Sequence, residues 1–198
     1  MIDSREPRKP VPGGSTVRVQ KTLTSAEELL RLSETGRYEL VRGDLIKLPP
    51  ASLAHGGTQS NADFLIQRHV REHRLGRVFA GELGVWLERD PDTVRAADVA
   101  FYARGRLPEG ALPVEFASIV PDLVVEVGAT DDAAGAIQSR IEDWLRAGVR
   151  LLWVAYVATR SVVEYRSLRE IRVLTGDDML DGGDVLPGFL VPISELFT

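Results

Sequence analysis

The sequence contains no cysteine, and this absence excludes several kinds of protein at once. Disulfide scaffolds, thiolate zinc sites, iron–sulfur clusters and cysteine nucleophiles all need a thiol. No apolar run approaches the ~20 residues of a membrane span, and the N-terminal residues lack the apolar core of a signal peptide. We therefore expect a soluble, cytoplasmic protein with no membrane partner. Glycine-rich phosphate loops and dinucleotide fingerprints are also missing, so we expect no nucleotide cofactor.

Positive charge is in short supply, with 24 Lys and Arg residues against 29 Asp and Glu residues and a formal net charge of −5. A nucleic-acid partner would therefore need a local basic patch. The 198 residues are 44% hydrophobic and 27% charged, which suits one globular domain. Residues 1–18 mix Pro, Gly, Arg and Ser without periodicity, so we expect a flexible arm there and a single domain over residues 19–198.

Hydrophobic periodicity predicts alternating helices and strands. Thr24 and Glu27 have the spacing of a capping box and predict a helix over residues 25–33. Longer helices are predicted over residues 58–73, after a turn at 55–57, and over residues 133–147. Strands are predicted over residues 37–48 (two, joined at Arg42-Gly43-Asp44), 78–88, 94–102, 122–127, 151–157, 162–166 and 171–174. The run at 151–157 is apolar on both faces, which is typical of a strand covered on both sides and predicts an α/β fold with a central mixed sheet flanked by helices.

Two predicted strands carry a carboxylate where an apolar residue would be usual. Asp98 lies in the middle of one strand, and Glu126 alternates with Val125 and Val127 in another. A carboxylate buried among valines is costly unless it is paired, hydrogen-bonded or bound to a cation. If the two strands are neighbours, these oxygens converge as Mg²⁺ or Mn²⁺ requires. For Glu126 alone, a salt bridge or a solvated strand end is the other explanation.

The order of these segments resembles the PD-(D/E)XK nuclease superfamily and, within it, the bacterial Uma-type endonuclease family. The resemblance extends over roughly residues 24–197. It rests on YELVRGDL (38–45), His55-Gly56, ADVAF (97–101), PDLVVEV (121–127), Ala147-Gly148-Val149 with Trp153, and Leu186-Pro187-Gly188-Phe189.

The resemblance implies a restriction-endonuclease-like fold and Mg²⁺-dependent (or Mn²⁺-dependent) hydrolysis of DNA phosphodiester bonds. Asp98 and Glu126 would be the catalytic metal ligands, and Glu39 an additional ligand or acid–base group. His55 would lie at the mouth of the site, and Asp122, two pleats from Glu126, just behind it. Without the resemblance, Glu39 can equally pair with a neighbouring arginine, and His55 can be a turn residue. Since double-strand cleavage calls for two sites, we expect a homodimer.

The sequence also departs from the pattern of this family. Gly128 stands where the superfamily has lysine, and the corresponding position on the following helix is Arg140. Arginine can clamp a phosphate but does not titrate near neutral pH, so we expect a catalytic role in charge stabilisation. Arg140 can equally be a solvated residue beside Glu142 or Asp143. Because residues 129–131 also replace the Ser-Pro-Ser of the family, a second hypothesis stays open: a catalytically degenerate module that binds DNA or protein.

A basic patch for nucleic acid is predicted on the helix over residues 58–73. Arg68 and Arg71 are its candidate nucleic-acid-binding residues. Further arginines that continue the patch are Arg74, Arg77, Arg104 and Arg106. A solvated helix face balanced by Glu72 explains them equally well. A third hypothesis, hydrolysis of another phosphoester, would be favoured by a narrow pocket in place of an open basic cleft.

Overall fold

The computed structural model describes residues 17–22, 25–32, 36–128 and 134–198. Three α-helices lie in these ranges: α1 (Ala26–Leu32), α2 (Leu53–His73) and α3 (Ala134–Ala147). The strands that precede α3 are β1 (Val17–Thr22), β2 (Tyr38–Val41), β3 (Asp44–Lys47), β4 (Gly76–Glu88), β5 (Thr93–Ala103) and β6 (Leu123–Gly128). Those that follow it are β7 (Leu151–Tyr156), β8 (Ser161–Ser167), β9 (Glu170–Leu174), β10 (Met179–Asp181) and β11 (Leu190–Pro192), and a 3-10 helix over Ile193–Phe197 ends the chain.

Nine of the strands form one mixed sheet. Eight run in the order β1-β3-β2-β5-β6-β7-β8-β9, and β4 pairs with β5 beside this path. Neighbouring strands are antiparallel except β6 and β7, which are parallel and are connected through α3. Strands β10 and β11 pair separately. The predicted α/β class with a central mixed sheet flanked by helices is confirmed.

Strand β5 has three partners, and two of them share one of its edges. Along one edge β4 pairs with β5 from Gly76↔Ala103 to Glu88↔Thr93. Along the other edge, β2 pairs with β5 at Leu40↔Val94 and β6 pairs with β5 at residues 99–101. Among the described strands, none pairs with residues 95–98 on this second edge. We call this gap, where β2 and β6 diverge from β5, the fork.

Each face of the sheet carries its own hydrophobic core. Helix α2 and the C-terminal segment cover one face, where Ile66 and Phe189 pack with Trp153 of β7. Helix α3 covers the other, where Trp144 packs with Val154. Because successive residues of β7 enter opposite cores, the expectation that the apolar run at 151–157 is covered on both sides is confirmed.

Helix α2 starts earlier than predicted, and the predicted turn at residues 55–57 is wrong. The helix begins at Leu53, because Ser52 Oγ accepts a hydrogen bond from the His55 N–H at 3.2 Å. Gly56 and Gly57 therefore lie inside the helix, at a cost of about 0.5–1 kcal/mol each. The early start gives α2 an extra turn that carries His55 up to the sheet.

The N-terminal boundaries also differ from prediction. Residues 1–16 of the predicted arm lie outside the described residues, but Val17 and Arg18 belong to β1, whose backbone pairs with β3. Thr24 of the predicted capping box is likewise outside the described residues. At the start of α1, Ser25 Oγ accepts a hydrogen bond from the Glu28 N–H at 3.3 Å. No helix in the described ranges is long and apolar enough to cross a membrane.

Candidate active site

Side chains from five elements meet at the fork. They are Glu39 of β2, His55 of α2, Asp98 of β5, Glu126 of β6 and Arg140 of α3. All of them line one cavity of about 560 Å³. The sheet topology brings them together, because β2 and β6 approach the same edge of β5 from opposite ends of the gap.

Asp98 and Glu126 lie on neighbouring strands, which the sequence pattern had left open. The antiparallel register pairs Val99 with Val125, and Asp98 and Glu126 are the next residues toward the fork. Both carboxylates are buried, at 5% and 3% exposure respectively. The fork thus places two buried acids at the point where the β5–β6 ladder ends.

The Asp98 carboxylate connects β5 to β6 and to α2. Its Oδ2 accepts a hydrogen bond from the Val127 N–H at 2.7 Å, and its Oδ1 lies 3.1 Å from His55 Nε2. The main-chain oxygen of Asp98 accepts a hydrogen bond from Gln59 Nε2 at 2.9 Å. His55 reaches Asp98 because the helix starts at Leu53.

The Glu126 carboxylate is held from the α3 side of the sheet. Its Oε1 accepts a hydrogen bond from the Trp144 indole N–H at 2.6 Å, and its Oε2 accepts two from Arg140, at 3.0 Å from Nε and 2.6 Å from Nη2. Burial raises the pKa of Glu126 to about 7, with Asp98 and Glu39 adding to the rise and Arg140 opposing it. Burial therefore opposes ionisation of Glu126.

Glu39 replaces the missing strand partner of Ala96. Its Oε1 accepts hydrogen bonds from the Ala96 N–H at 2.9 Å and from Arg140 Nη1 at 2.5 Å, and its Oε2 accepts one from Arg95 Nη1 at 2.7 Å. Burial acts to raise the pKa of Glu39, but the two guanidinium groups and the Ala96 N–H outweigh it and hold the pKa below its ordinary value. Glu39 is therefore a carboxylate at neutral pH.

Arg140 uses all three of its guanidinium nitrogens inside the fork. Besides Glu126 and Glu39, it donates a hydrogen bond to the Ala96 main-chain oxygen at 2.8 Å. Burial acts to lower the pKa of Arg140, but the surrounding carboxylates raise it above its ordinary value. The alternative of a solvated residue beside Glu142 or Asp143 is wrong, because α3 packs over the fork and directs Arg140 onto the sheet.

The remaining predicted residues lie elsewhere. Asp122 is buried at the opposite end of β6, where its carboxylate accepts a hydrogen bond from the Ala103 N–H at 2.9 Å. It does not line the cavity, because the strand carries it away from the fork rather than behind Glu126. Arg68 and Arg71 are exposed on α2 and also lie outside the cavity, with Arg68 stacked over the Phe64 ring at 5.4 Å.

Sequence reasoning missed several residues of the fork. Arg95 donates to Asp143 Oδ2 from Nε at 3.0 Å and from Nη2 at 2.6 Å, besides its bond to Glu39. The Trp144 ring packs in the core between α3 and the sheet, and its N–H donates to Glu126. Arg95 could have been identified from the sequence, because a charged residue within an apolar strand is as unusual as Asp98.

The fork holds oxygen donors of the kind that Mg²⁺ and Mn²⁺ prefer. Arg140 pairs with Glu39 and Glu126, Arg95 pairs with Glu39 and Asp143, and Asp98 lies against His55. Three buried carboxylates line the cavity, Glu39, Asp98 and Glu126, and they outnumber these two guanidinium groups by one. Within the described ranges, no three His, Asp or Glu side chains are arranged to hold a metal ion. Arg140 binds Glu126 and Glu39 instead.

The mixed sheet, the helices on both faces and the acidic fork place the chain in the restriction-endonuclease-like class of α/β proteins. The model of the Uma2 family, described as "Putative restriction endonuclease", matches residues 26–194. The chain belongs to this family.

A solved structure from Anabaena variabilis ATCC 29413 has the same fold and is described as "a putative nuclease belonging to DUF820". The two chains are 23% identical and superpose with a TM-score of 0.76, over 87% of this chain and 96% of that chain. None of the curated proteins matches this sequence. Membership of the family supports a nuclease.

Proposed function

We propose that this protein is an endonuclease that hydrolyses DNA phosphodiester bonds with the help of Mg²⁺ or Mn²⁺. The observation that carries the proposal is the pair of buried carboxyl groups, Asp98 and Glu126, on neighbouring strands at the fork. Carboxylates repel a phosphate unless a cation lies between them, so this pair favours a metal-dependent reaction. We further expect a cytoplasmic protein that acts as a homodimer on duplex DNA.

Asp98 and Glu126 would hold the cation, which when bound polarises the phosphate and makes a water molecule more acidic. His55 and the Val127 N–H orient the Asp98 carboxylate, and the Trp144 indole orients Glu126. Arg140 stays protonated and stabilises charge on the phosphate without moving a proton. Glu39, whose pKa lies below its ordinary value, positions Arg140 and is unsuited to donate a proton.

The test combines cation titration by calorimetry with a plasmid-nicking assay on the same samples. Asp98→Asn and Glu126→Gln keep the shape of each side chain and remove its charge. Asp122→Asn is the matched control, because Asp122 is equally buried beside the same sheet but lies outside the cavity. We expect both fork variants to lose Mn²⁺ binding and nicking, and the control to keep them. Wild-type protein that binds no divalent cation would overturn the proposal.

The second candidate is a degenerate nuclease-fold module that binds DNA or protein without cleaving. It is favoured by the two hydrogen bonds from Arg140 to Glu126 Oε2, because a guanidinium group on this oxygen blocks the place of a cation. The calorimetric result separates the two candidates. DNA binding by wild-type protein that takes up no Mn²⁺ would establish the second candidate.

A further inference from the structure

A second cavity, of about 480 Å³, lies at the far end of β5. Four arginines from three parts of the chain line it: Arg71 and Arg74 at the end of α2, Arg77 of β4, and Arg104 just after β5. They converge because α2 ends, β4 begins and β5 ends at the same side of the sheet. We call these four residues the arginine cluster.

The arginine cluster is short of negative partners. In the part of the chain that the structure describes, none of its members forms an ion pair with a carboxylate within 4.0 Å. Arg104 donates a hydrogen bond to the Arg74 main-chain oxygen, and Arg77 lies over the Phe79 ring at 5.7 Å. Some arginines elsewhere on the surface are paired, as Arg150 is with Asp184 at 2.7 Å.

Local electrostatics account for only part of this cluster. The C-terminal end of a helix carries roughly half a negative charge, which attracts arginines to the end of α2. One carboxylate, Glu109, also lines the cavity, and Asp63 interacts electrostatically with Arg71. Together these offset about two and a half of the four positive charges. An excess of more than one positive charge remains, in a chain whose net charge is −5.

We propose that the arginine cluster is a phosphate-binding site that holds the backbone of the DNA substrate away from the fork. The inference rests on the proposed function and adds a second contact to it. Ala103 lies five positions beyond Asp98 along β5, which is about 17 Å at ~3.3 Å per residue. A phosphate at the cluster is therefore a different phosphate from the one at the fork, so the substrate is a polymer. Guanidinium groups suit this role because their donors match phosphate oxygens in pairs.

The experiment measures binding of a 5′-labelled DNA duplex by fluorescence anisotropy, in EDTA and over a series of salt concentrations. The test protein is the double variant Arg71→Gln/Arg77→Gln, and the matched control is Arg160→Gln/Arg169→Gln, which removes two exposed arginines from the turns at the two ends of β8. Both change the net charge equally. Thermal unfolding followed by circular dichroism checks that each variant is folded.

Each lost phosphate contact lowers the slope of log K against log[salt] by about 0.9. We expect the test variant to lose about 1.8 from the slope and at least tenfold in affinity at 100 mM salt, while the control changes affinity less than twofold. Equal effects of the two double variants would overturn the inference, because only net charge would then matter. Wild-type protein that does not bind the duplex would overturn it as well.

The proposed function of the fork is tested separately, by the plasmid-nicking assay. If the test variant binds DNA as wild type does while Asp98→Asn abolishes nicking, the proposed function stands and the cluster has no part in it. If the test variant loses DNA binding while wild-type protein never nicks, the cluster is a DNA site and the proposed catalysis is wrong.

Discussion

The Arg140 guanidinium group and the Glu126 carboxylate form an ion pair inside the candidate active site, with two guanidinium nitrogens on the same Oε2 oxygen at 3.0 Å and 2.6 Å. Arg140 extends the same contact to Glu39. In the absence of a cation it therefore neutralises the carboxylates that a cation would use. A cation that binds Glu126 must share Oε2 with Arg140 or displace it.

The Arg140→Gln variant tests this competition. Removing the guanidinium group frees Glu126 Oε2 and removes a repulsive charge, which at 4 Å and an effective dielectric constant of 20 is worth about 4 kcal/mol per unit charge. We expect Mn²⁺ to bind at least tenfold more tightly than to wild type, measured by calorimetry. Arg146→Gln, on the exposed side of the same helix, is the control and should leave the affinity unchanged. Weaker Mn²⁺ binding by Arg140→Gln would show that Arg140 orients Glu126 instead of competing with the metal.

The pH dependence of stability should have opposite signs at Glu126 and Glu39. The pKa of Glu126 is raised from 4.5 to about 7, so folded protein binds the extra proton between these pH values. The stability that this proton contributes is complete below pH 4.5 and is lost as the pH rises toward 7. Glu126→Gln, which does not titrate, should therefore gain stability relative to wild type over this interval.

Glu39 has a lowered pKa, so its contribution is present above its ordinary pKa and is lost as the pH falls. Glu39→Gln should accordingly cost more stability at pH 7 than in acid. Urea unfolding in EDTA at several pH values measures both variants. The same trend in the two variants would contradict the assigned directions.

The hydroxyl group of Tyr102 is buried and has no hydrogen-bond partner among the described residues. Burial also raises the pKa of Tyr102 above its ordinary value, so the group is neutral at all ordinary pH values. Because a buried unsatisfied hydroxyl costs free energy, Tyr102→Phe should leave the free energy of unfolding unchanged or raise it by up to about 1 kcal/mol. Denaturant unfolding provides the test, and a loss of more than about 1 kcal/mol would mean that the hydroxyl is satisfied.

Gly84 of β4 lies directly against Phe116. A Cβ atom at this position would come within 2.3 Å of the Phe116 ring, so Gly84→Ala should destabilise the protein by about 1–3 kcal/mol. The penalty should largely vanish when Phe116 is already alanine, which a double-mutant cycle measures. As a contrasting control, Gly57→Ala meets no atom within 4 Å on α2 and should stabilise by about 0.5–1 kcal/mol. If Gly84→Ala lowered the free energy of unfolding equally with Phe116 and with alanine at position 116, the strain would lie in the backbone of β4.

Short-range patterns predicted the fold well, because strand alternation and helix periodicity are local properties. That Asp98 and Glu126 lie close together was implied by the resemblance alone, because the strand pattern does not say which strands are neighbours. The contacts of Arg140 and Arg95 could not be predicted from the sequence. They depend on where β2 and β6 stop pairing with β5, and this is decided by packing between residues that are far apart in the chain. The start of α2 was missed because residues 55–57, with two glycines, were assigned to a turn, whereas the folded helix is capped by Ser52 and gains a contact between His55 and Asp98.

The fork also affects what a comparison of residues among members of the family can show about their activity. Glu39 satisfies the Ala96 N–H, and Arg140 satisfies the Ala96 main-chain oxygen, so both side chains act as substitutes for a missing strand. A related protein without catalytic activity would still need both side chains, since unpaired backbone groups in a buried sheet lower the stability of the fold. Finding these two residues in a related protein would therefore indicate that the fork is structurally intact. It would not distinguish an active nuclease from an inactive one.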